Sequence, residues 1–266
     1  MKVYISADME GVTGITHWNE TDKLKGDYGY FAEQMTREVA AACEGARKAG
    51  ATEIWVKDAH ETGRNIDPSA LPENVRLIRG WSGHPFSMVQ GVDASFDALL
   101  FVGYHSWAGS NHNPLAHTMD AHGIQYIKIN GRYASEFTIH AYAAASLGVP
   151  VVFISGDKGL MEEAKVLNGN MRALAVNEGI GDSTVSIHPH VAVEQMKKEV
   201  ELALKENLDL CKIEVPKSFQ IEISFAEHKK AYKASFFPGV KQLSAHCVGF
   251  ETHDYFEALR MMAFVL

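Results

Sequence analysis

The patterning of this 266-residue chain predicts an α/β fold, a mostly parallel sheet with helices on both faces, joined to a smaller α+β lobe. Three observations carry that expectation. Short apolar runs of strand length alternate with amphipathic stretches of helical period through the first three quarters of the chain. One of those runs, Ala98–Gly103, is apolar without a break, as a strand covered on both faces is, and Val151–Ser155 reads as another buried strand. Beyond about residue 186 the texture changes to a charged amphipathic helix followed by half-polar strands. The expected division is therefore an α/β domain over residues 1–186 and an α+β lobe over 187–266. No internal repeat or low-complexity linker marks the boundary.

Lys2–Ala7 opens the chain as a strand. Tyr30–Ala49 reads as a long helix, with Phe31, Met35, Val39, Ala42 and Ala46 on one stripe and Gly50 closing it. Glu53–Lys57 and Ala98–Gly103 follow as strands. Ile124–Ile129 alternates in polarity, and Asn130-Gly131 after it has the composition of a hairpin turn. Ser135–Ser146 is helical and ends at Gly148 and Pro150. Val151–Ser155 is a buried strand, Lys158–Val166 a helix, and Ala173–Val176 a short strand. In the tail, Val191–Asn207 and His253–Phe264 read as helices, and Phe219–Phe225 and Val248–Phe250 as strands.

Composition narrows the functional classes. The formal net charge is -8, and no Lys/Arg cluster offsets phosphate charge, so a nucleic-acid partner is not expected. No apolar run approaches the roughly 20 residues of a membrane helix. The chain enters a strand directly, without a basic and then apolar leader, and a cytoplasmic location is expected by default. Three widely spaced cysteines fit neither a disulfide framework nor a zinc finger. Cys43 falls on the apolar face of the first helix, as a small buried hydrophobe does.

The chemistry starts at Ser6-Ala7-Asp8-Met9-Glu10-Gly11. In extended chain, side chains two apart point the same way, so Asp8 and Glu10 aim two carboxylates at one place. Like charges that close repel unless a cation lies between them or one carboxylate takes a proton. Ligands in parallel α/β sheets bind beyond the carboxyl ends of the strands. At that edge the second strand delivers Asp58-Ala59-His60, the third Gly103-Tyr104-His105, and the Val151 strand Gly156-Asp157. Asp58 and Asp157 also fit turn formers or helix caps; Asp58 otherwise orients a ligand histidine through its free ring nitrogen. His112, His117 and His122 lie in the long Gly/Asn/Pro-rich segment from Ser106 to Gly123, a length that often marks a functional loop. Glu136 opens the next helix, where it either complements the helix dipole or supplies a third metal carboxylate. Asp8, Glu10 and Glu136 with one hydroxide carry a charge that two divalent ions balance. Imidazoles from His60 and His105 make a mixed nitrogen and oxygen set, suited to zinc or another late first-row ion.

These residues, together with Pro85-Phe86-Ser87-Met88-Val89, Ala116-His117-Thr118-Met119 and Ile129-Asn130-Gly131-Arg132, resemble the zinc-dependent D-aminopeptidases of the DppA type, a family of self-compartmentalising metallopeptidases. The likeness spans residues 1 to about 180 and is looser beyond 186. It implies two Zn²⁺ per subunit, with Asp8 bridging both. Glu10 and His60 would complete one ion, His105 and Glu136 the other, and His117 would be the catalytic histidine. It further implies a homodecamer of stacked rings. The implied activity removes the amino-terminal residue of short peptides or aminoacyl amides, D-residues among them, by metal-activated water with a histidine acid/base. The segment Asn111-His112-Asn113-Pro114 departs from the family pattern, which bears on substrate choice.

Two alternatives stay open at this level. A dinuclear phosphoesterase or non-peptide amidase would want cations such as Arg64, Arg79 or Arg132 near the metals. A metal-stabilised binding protein would leave no open coordination position. The region of Trp81, Trp107 and Tyr104 reads either as an aromatic or sugar site or as core and interface. Pro85–Gly91 fits core or subunit contact.

Overall fold

A computed structural model describes all residues from Met1 to Leu266. Its chain order is β1 (Lys2–Ala7), α1 (Tyr28–Lys48), β2 (Glu53–Asp58), β3 (Val75–Ile78), β4 (Ala98–Tyr104), β5 (Ile124–Ile129), β6 (Arg132–Tyr133), α2 (Glu136–Ser146), β7 (Val151–Asp157), α3 (Lys158–Leu167), β8 (Arg172–Ile180) and β9 (Ser183–Ser186). The tail adds α4 (Pro189–Lys205), β10 (Phe219–Phe225), α5 (His228–Ala234), β11 (Lys241–Gln242), β12 (Cys247–Thr252) and α6 (Tyr255–Val265). Seven strands form the main sheet in the order β3-β2-β1-β4-β7-β8-β9. Its neighbours run parallel as far as β8, and β9 turns back antiparallel. The mostly parallel sheet expected from the sequence is present.

Alternation along β1 builds both faces. Val3, Ile5 and Ala7 enter a core shared with Met35, Val39 and Ala42 of α1 and with Ala192, Met196 and Val200 of α4. Tyr4 points the other way, into a larger core holding α2, α3, α6 and the second sheet. Helices thus cover both faces, as such a sheet requires. The α1–α4 contact is close enough that Gly45 has no room for a Cβ against the Lys197 carbonyl.

A second, antiparallel sheet has the order β11-β12-β10-β5-β6. It takes β5 and β6 from residues 124–133 and the rest from the tail, while α4 packs back on α1. The two sheets therefore do not separate at residue 186. Pairing of Ile127 with Ile223 and Ile129 with Ile221 joins stretches nearly a hundred residues apart. β3 and α5 carry no strong sequence signal: β3 is a four-residue half-buried edge, and α5 reads His-Lys-Lys-Ala-Tyr-Lys-Ala.

The order of the strands positions the site. From β1 the chain adds β2 and β3 on one side, then crosses to place β4 on the other. The switch point lies between β1 and β4, where Ala7 stands opposite both Asp58 and Val102. That crevice is where open α/β sheets bind ligands.

Candidate metal centre

Asp8 follows β1 and is locked to β4 by its amide, which donates to Val102 O at 2.9 Å; the Gly11 amide donates to Gly103 O at 2.8 Å. Gly11 passes so near Tyr104 O that no Cβ fits, and Gly103 adopts φ +72° beneath Asp8 O. These two glycines let the Asp8–Glu10 turn lie directly on the end of β4. His60 arrives two residues after β2, and His105 one residue after β4. Glu136 is the first residue of α2, whose N-cap is Ser135. His117 comes from the loop between β4 and β5.

The structure brings all six residues together in two groups: Asp8, Glu10 and His60 in one, His105, His117 and Glu136 in the other. Asp8 spans them. Its Oδ1 lies 3.4 Å from His60 Nδ1 and its Oδ2 3.5 Å from His105 Nε2. His60 Nδ1 is 3.1 Å from Glu10 Oε2, His105 Nε2 is 3.5 Å from Glu136 Oε2, and His117 Nε2 is 3.4 Å from Glu136 Oε1. Charge-assisted hydrogen bonds run shorter, roughly 2.7–2.9 Å. A tetrahedron with zinc–ligand bonds of roughly 2.0–2.2 Å has edges of roughly 3.3–3.6 Å. Most of these spacings match the second pattern.

Each imidazole is held from behind by a backbone carbonyl. His60 Nε2 donates to Thr21 O at 2.9 Å, His105 Nδ1 to Ser106 O at 3.0 Å, and His117 Nδ1 to Leu115 O at 2.9 Å. The other nitrogen of each ring then faces the carboxylates, where its lone pair can serve a cation, the arrangement of metal-binding histidines. Within this cluster Asp8 Oδ2, Glu10 Oε2 and His105 Nε2 are buried and make no hydrogen bond. Three unpartnered ligand-type atoms converging in one buried place fit a cation.

The electrostatics of these side chains say the same. Burial, then the Glu10 carboxylate, pushes Asp8 up to about 8. Burial works against ionised Glu10, but the rings of His60, His117 and His105 outweigh it, and that carboxyl ends well below its ordinary value. Burial works against protonated His60 as well, yet Glu10 and Asp8 hold the ring well above the usual imidazole value. His105, equally buried, is pushed up to about 10 by Glu136, then Asp8 and Glu10. Without an ion, protons on imidazole and carboxyl supply the missing positive charge.

Other sequence candidates have different roles. Asp58 does not touch the His60 ring. It accepts from the amides of Asn65 and Ile66 at 2.5 and 2.8 Å and from Asn65 Nδ2, so it shapes the turn carrying His60. The Thr21 carbonyl does the orienting instead. Asp157 caps α3 through Leu160 N and grips the amide and hydroxyl of Ser106. Tyr104 is buried with its hydroxyl on Ser6, and Phe86, Met88 and Val89 are core. Trp107 stacks near Tyr133, and only Trp81 of the aromatic trio borders the centre. His112 stays outside it, whereas His122 joins Trp18 at the rim.

The centre opens into a cavity of about 710 Å³. Besides Asp8, Glu10 and Glu136, its walls carry Asp22, Glu61 and Asp120 against one lysine, Lys25; Arg64, Arg79 and Arg132 do not line it. No sequence signal marked Asp22 or Asp120, which lie in loops far from each other in the chain.

A mostly parallel α/β sheet with carboxylates and imidazoles gathered at its switch point, in an open acidic cavity, defines a protein of the metallohydrolase class. The D-aminopeptidase family profile matches residues 1–264. A D-aminopeptidase of Bacillus subtilis (strain 168) is 32% identical over 264 residues, covering 98% of this chain and 95% of the other. The solved structure of the Zn-dependent D-aminopeptidase DppA from Bacillus subtilis, a self-compartmentalizing protease, superposes with a TM-score of 0.93 at 30% identity, covering 100% of this chain and 96% of that one. The chain belongs to the D-aminopeptidase family and is an aminopeptidase, a hydrolase.

Proposed function

We propose that this protein is a dinuclear zinc aminopeptidase that releases the amino-terminal residue, D-residues included, from short peptides or aminoacyl amides. One observation carries the reading: three imidazoles fixed by backbone carbonyls present their free nitrogens to three buried carboxylates, with unpartnered oxygens between them. Asp8, through both oxygens, would be shared by two ions; Glu10 and His60 would hold one, His105 and Glu136 the other. When bound, such a pair supplies Lewis acidity and a water of lowered pKa.

The chain's own residues supply the rest. With Asp8, Glu10 and Glu136 committed to cations, Asp22, Glu61 and Asp120 leave the cavity wall acidic, which favours a free ammonium terminus. His117 is the most exposed of the three rings, at 12% of its side chain, and lines the cavity. Its Nε2, bare in the tautomer that donates from Nδ1, is the atom placed to take up a proton and pass it on to the leaving amine. The Leu115 carbonyl fixes its tautomer, while His105 stacks on it at 4.3 Å and Trp18 packs edge-on at 5.4 Å. The absence of arginine from the cavity wall argues against phosphate esters as substrates.

Support for zinc comes from the solved relative described as zinc-dependent. A cytoplasmic homodecamer completes the reading. The assembly is supported by the self-compartmentalizing relative. Metal analysis coupled to hydrolysis of matched D- and L-aminoacyl amides tests the function. EDTA should abolish turnover and zinc restore it; turnover indifferent to both would refute it. Light scattering tests the particle size, and a monomer at working concentration would remove the ring assembly.

A further inference from the structure

A second cavity, of about 260 Å³, adjoins the acidic one. The two share Trp81, Ser87 and Met119 as a common wall. Beyond that wall the lining is mainly apolar, with Ile139, Leu259 and Met262 buried or nearly so and His84, Gln90 and His140 as its polar members. We infer that this cavity is the side-chain subsite of the enzyme, receiving an apolar side chain of leucine to phenylalanine size from the substrate's amino-terminal residue. The inference rests on the aminopeptidase reading above and adds the class of residue removed.

The shared wall is built to hold a fixed shape. Ser87 and Met119 have φ of +40° and +68°, values that residues other than glycine rarely adopt. Backbone held there needs surroundings that over-determine it, and such positions gather at ligand clamps. In this conformation the Met119 amide donates to Glu136 Oε1 at 2.7 Å while Met119 also borders the apolar cavity. One residue therefore links the metal-site carboxylate to the subsite. A peptide carbonyl reacting at the centre has its Cα one bond away, and the side chain branches from that Cα. An apolar hollow beginning at Met119 is the place this side chain enters.

Trp81 is the other fixed wall. Its ring lies over the Lys57 ammonium at 3.8 Å, and its Nε1 donates to Glu61 O at 2.7 Å. Lys57 is fully buried and its ammonium is held by the carbonyls of Asp58 and Gly80. A tryptophan pinned through ring and N–H yet 43% exposed is a rigid contact surface facing outward. Polar demand inside the hollow is low. His140 is already engaged on both nitrogens, with Glu136 O at 2.7 Å and the Met88 amide at 3.4 Å, while Gln90 Oε1 and His84 Nδ1 accept from the amides of Ser82 and Phe86. No lysine or arginine lines the cavity to pair with an acidic side chain. Its volume falls just under the roughly 300–1,000 Å³ of whole-ligand pockets, which suits one side chain.

The test is a preference ratio. Zinc-loaded enzyme should hydrolyse D-leucine and D-phenylalanine amides with kcat/KM at least about tenfold above D-alanine amide, the discrimination that added methylenes give in an apolar pocket. The L-series runs in parallel. Ala263→Trp, from the exposed end of the cavity wall on α6, should lower the leucine-to-alanine ratio about tenfold or more. Phe264→Ala, on the same helix but outside the lining, should keep the wild-type ratio. Calorimetric binding of D-leucine against D-alanine, as products that are not consumed, should show the same order without turnover. A flat preference in the wild type, or equal loss on all amides in Ala263→Trp, overturns the subsite. Absence of turnover on every amide overturns the aminopeptidase reading and takes the subsite with it, so the two failures are distinguishable.

Discussion

Replacing Asp8 by asparagine separates what this carboxylate costs the fold from what it gives a cation. In the ion-free protein, burial and then the Glu10 carboxylate raise Asp8 from 3.8 to about 8. A carboxyl raised in this way favours the fold fully only below its unfolded value. As pH climbs toward 8, the unfolded chain sheds the proton that the folded chain keeps, and stability falls. Between the unfolded value and pH 7 this loss reaches at most about 4 kcal/mol, at about 1.4 kcal/mol per pH unit. The amide in D8N does not titrate. EDTA-treated D8N should therefore be more stable than EDTA-treated wild type near pH 7, with the gap closing toward about pH 4. Zinc should act in the opposite sense. At a hundredfold excess over its Kd a ligand adds about 2.7 kcal/mol, and wild type should show that gain while D8N loses most of it. Urea unfolding followed by circular dichroism, across pH and with or without zinc, reads both effects. Ion-free D8N less stable than wild type at neutral pH, or D8N keeping the full zinc gain, would refute the reasoning.

Three further outcomes follow from the same geometry. His117→Ala should keep both zinc ions by elemental analysis while turnover falls about 10²–10⁴-fold, the usual worth of a positioned acid or base; loss of one ion would make His117 a ligand. Zinc uptake should release protons, because ion-free His60 and His105 are held protonated by their carboxylate neighbours. Apparent affinity should then weaken as pH falls, and calorimetry in buffers of differing ionisation enthalpy would show no release if the rings were already neutral. Gly11→Ala should impair zinc binding, since its Cβ meets the Tyr104 carbonyl and the turn carrying Asp8 and Glu10 must shift; wild-type zinc affinity in a folded G11A protein would contradict that.

Much of the centre was legible because period-two geometry and strand ends are local. Asp8 and Glu10 share a side by spacing alone, and His60 and His105 follow strands whose apolar runs are plain. Other features carry no residue signature. The carbonyls of Thr21, Ser106 and Leu115 that orient the rings belong to the backbone, and any residue type offers one. Asp58 was ambiguous for a related reason, since a carboxylate after a strand serves a turn as readily as a ring. The second sheet was legible as strands but not as a sheet, because β5 finds β10 only through long-range pairing. Lys57 carries no residue signature of its role, because Trp81 and the Gly80 carbonyl that meet its ammonium come from a distant stretch of the chain.

Anomalous diffraction at the zinc absorption edge, from crystals of the zinc-loaded protein, tests the dinuclear centre most directly. Two peaks are expected, one among Asp8, Glu10 and His60 and the other among Asp8, His105 and Glu136, with one Asp8 oxygen on each. A single peak, or peaks away from these side chains, would contradict the assignment.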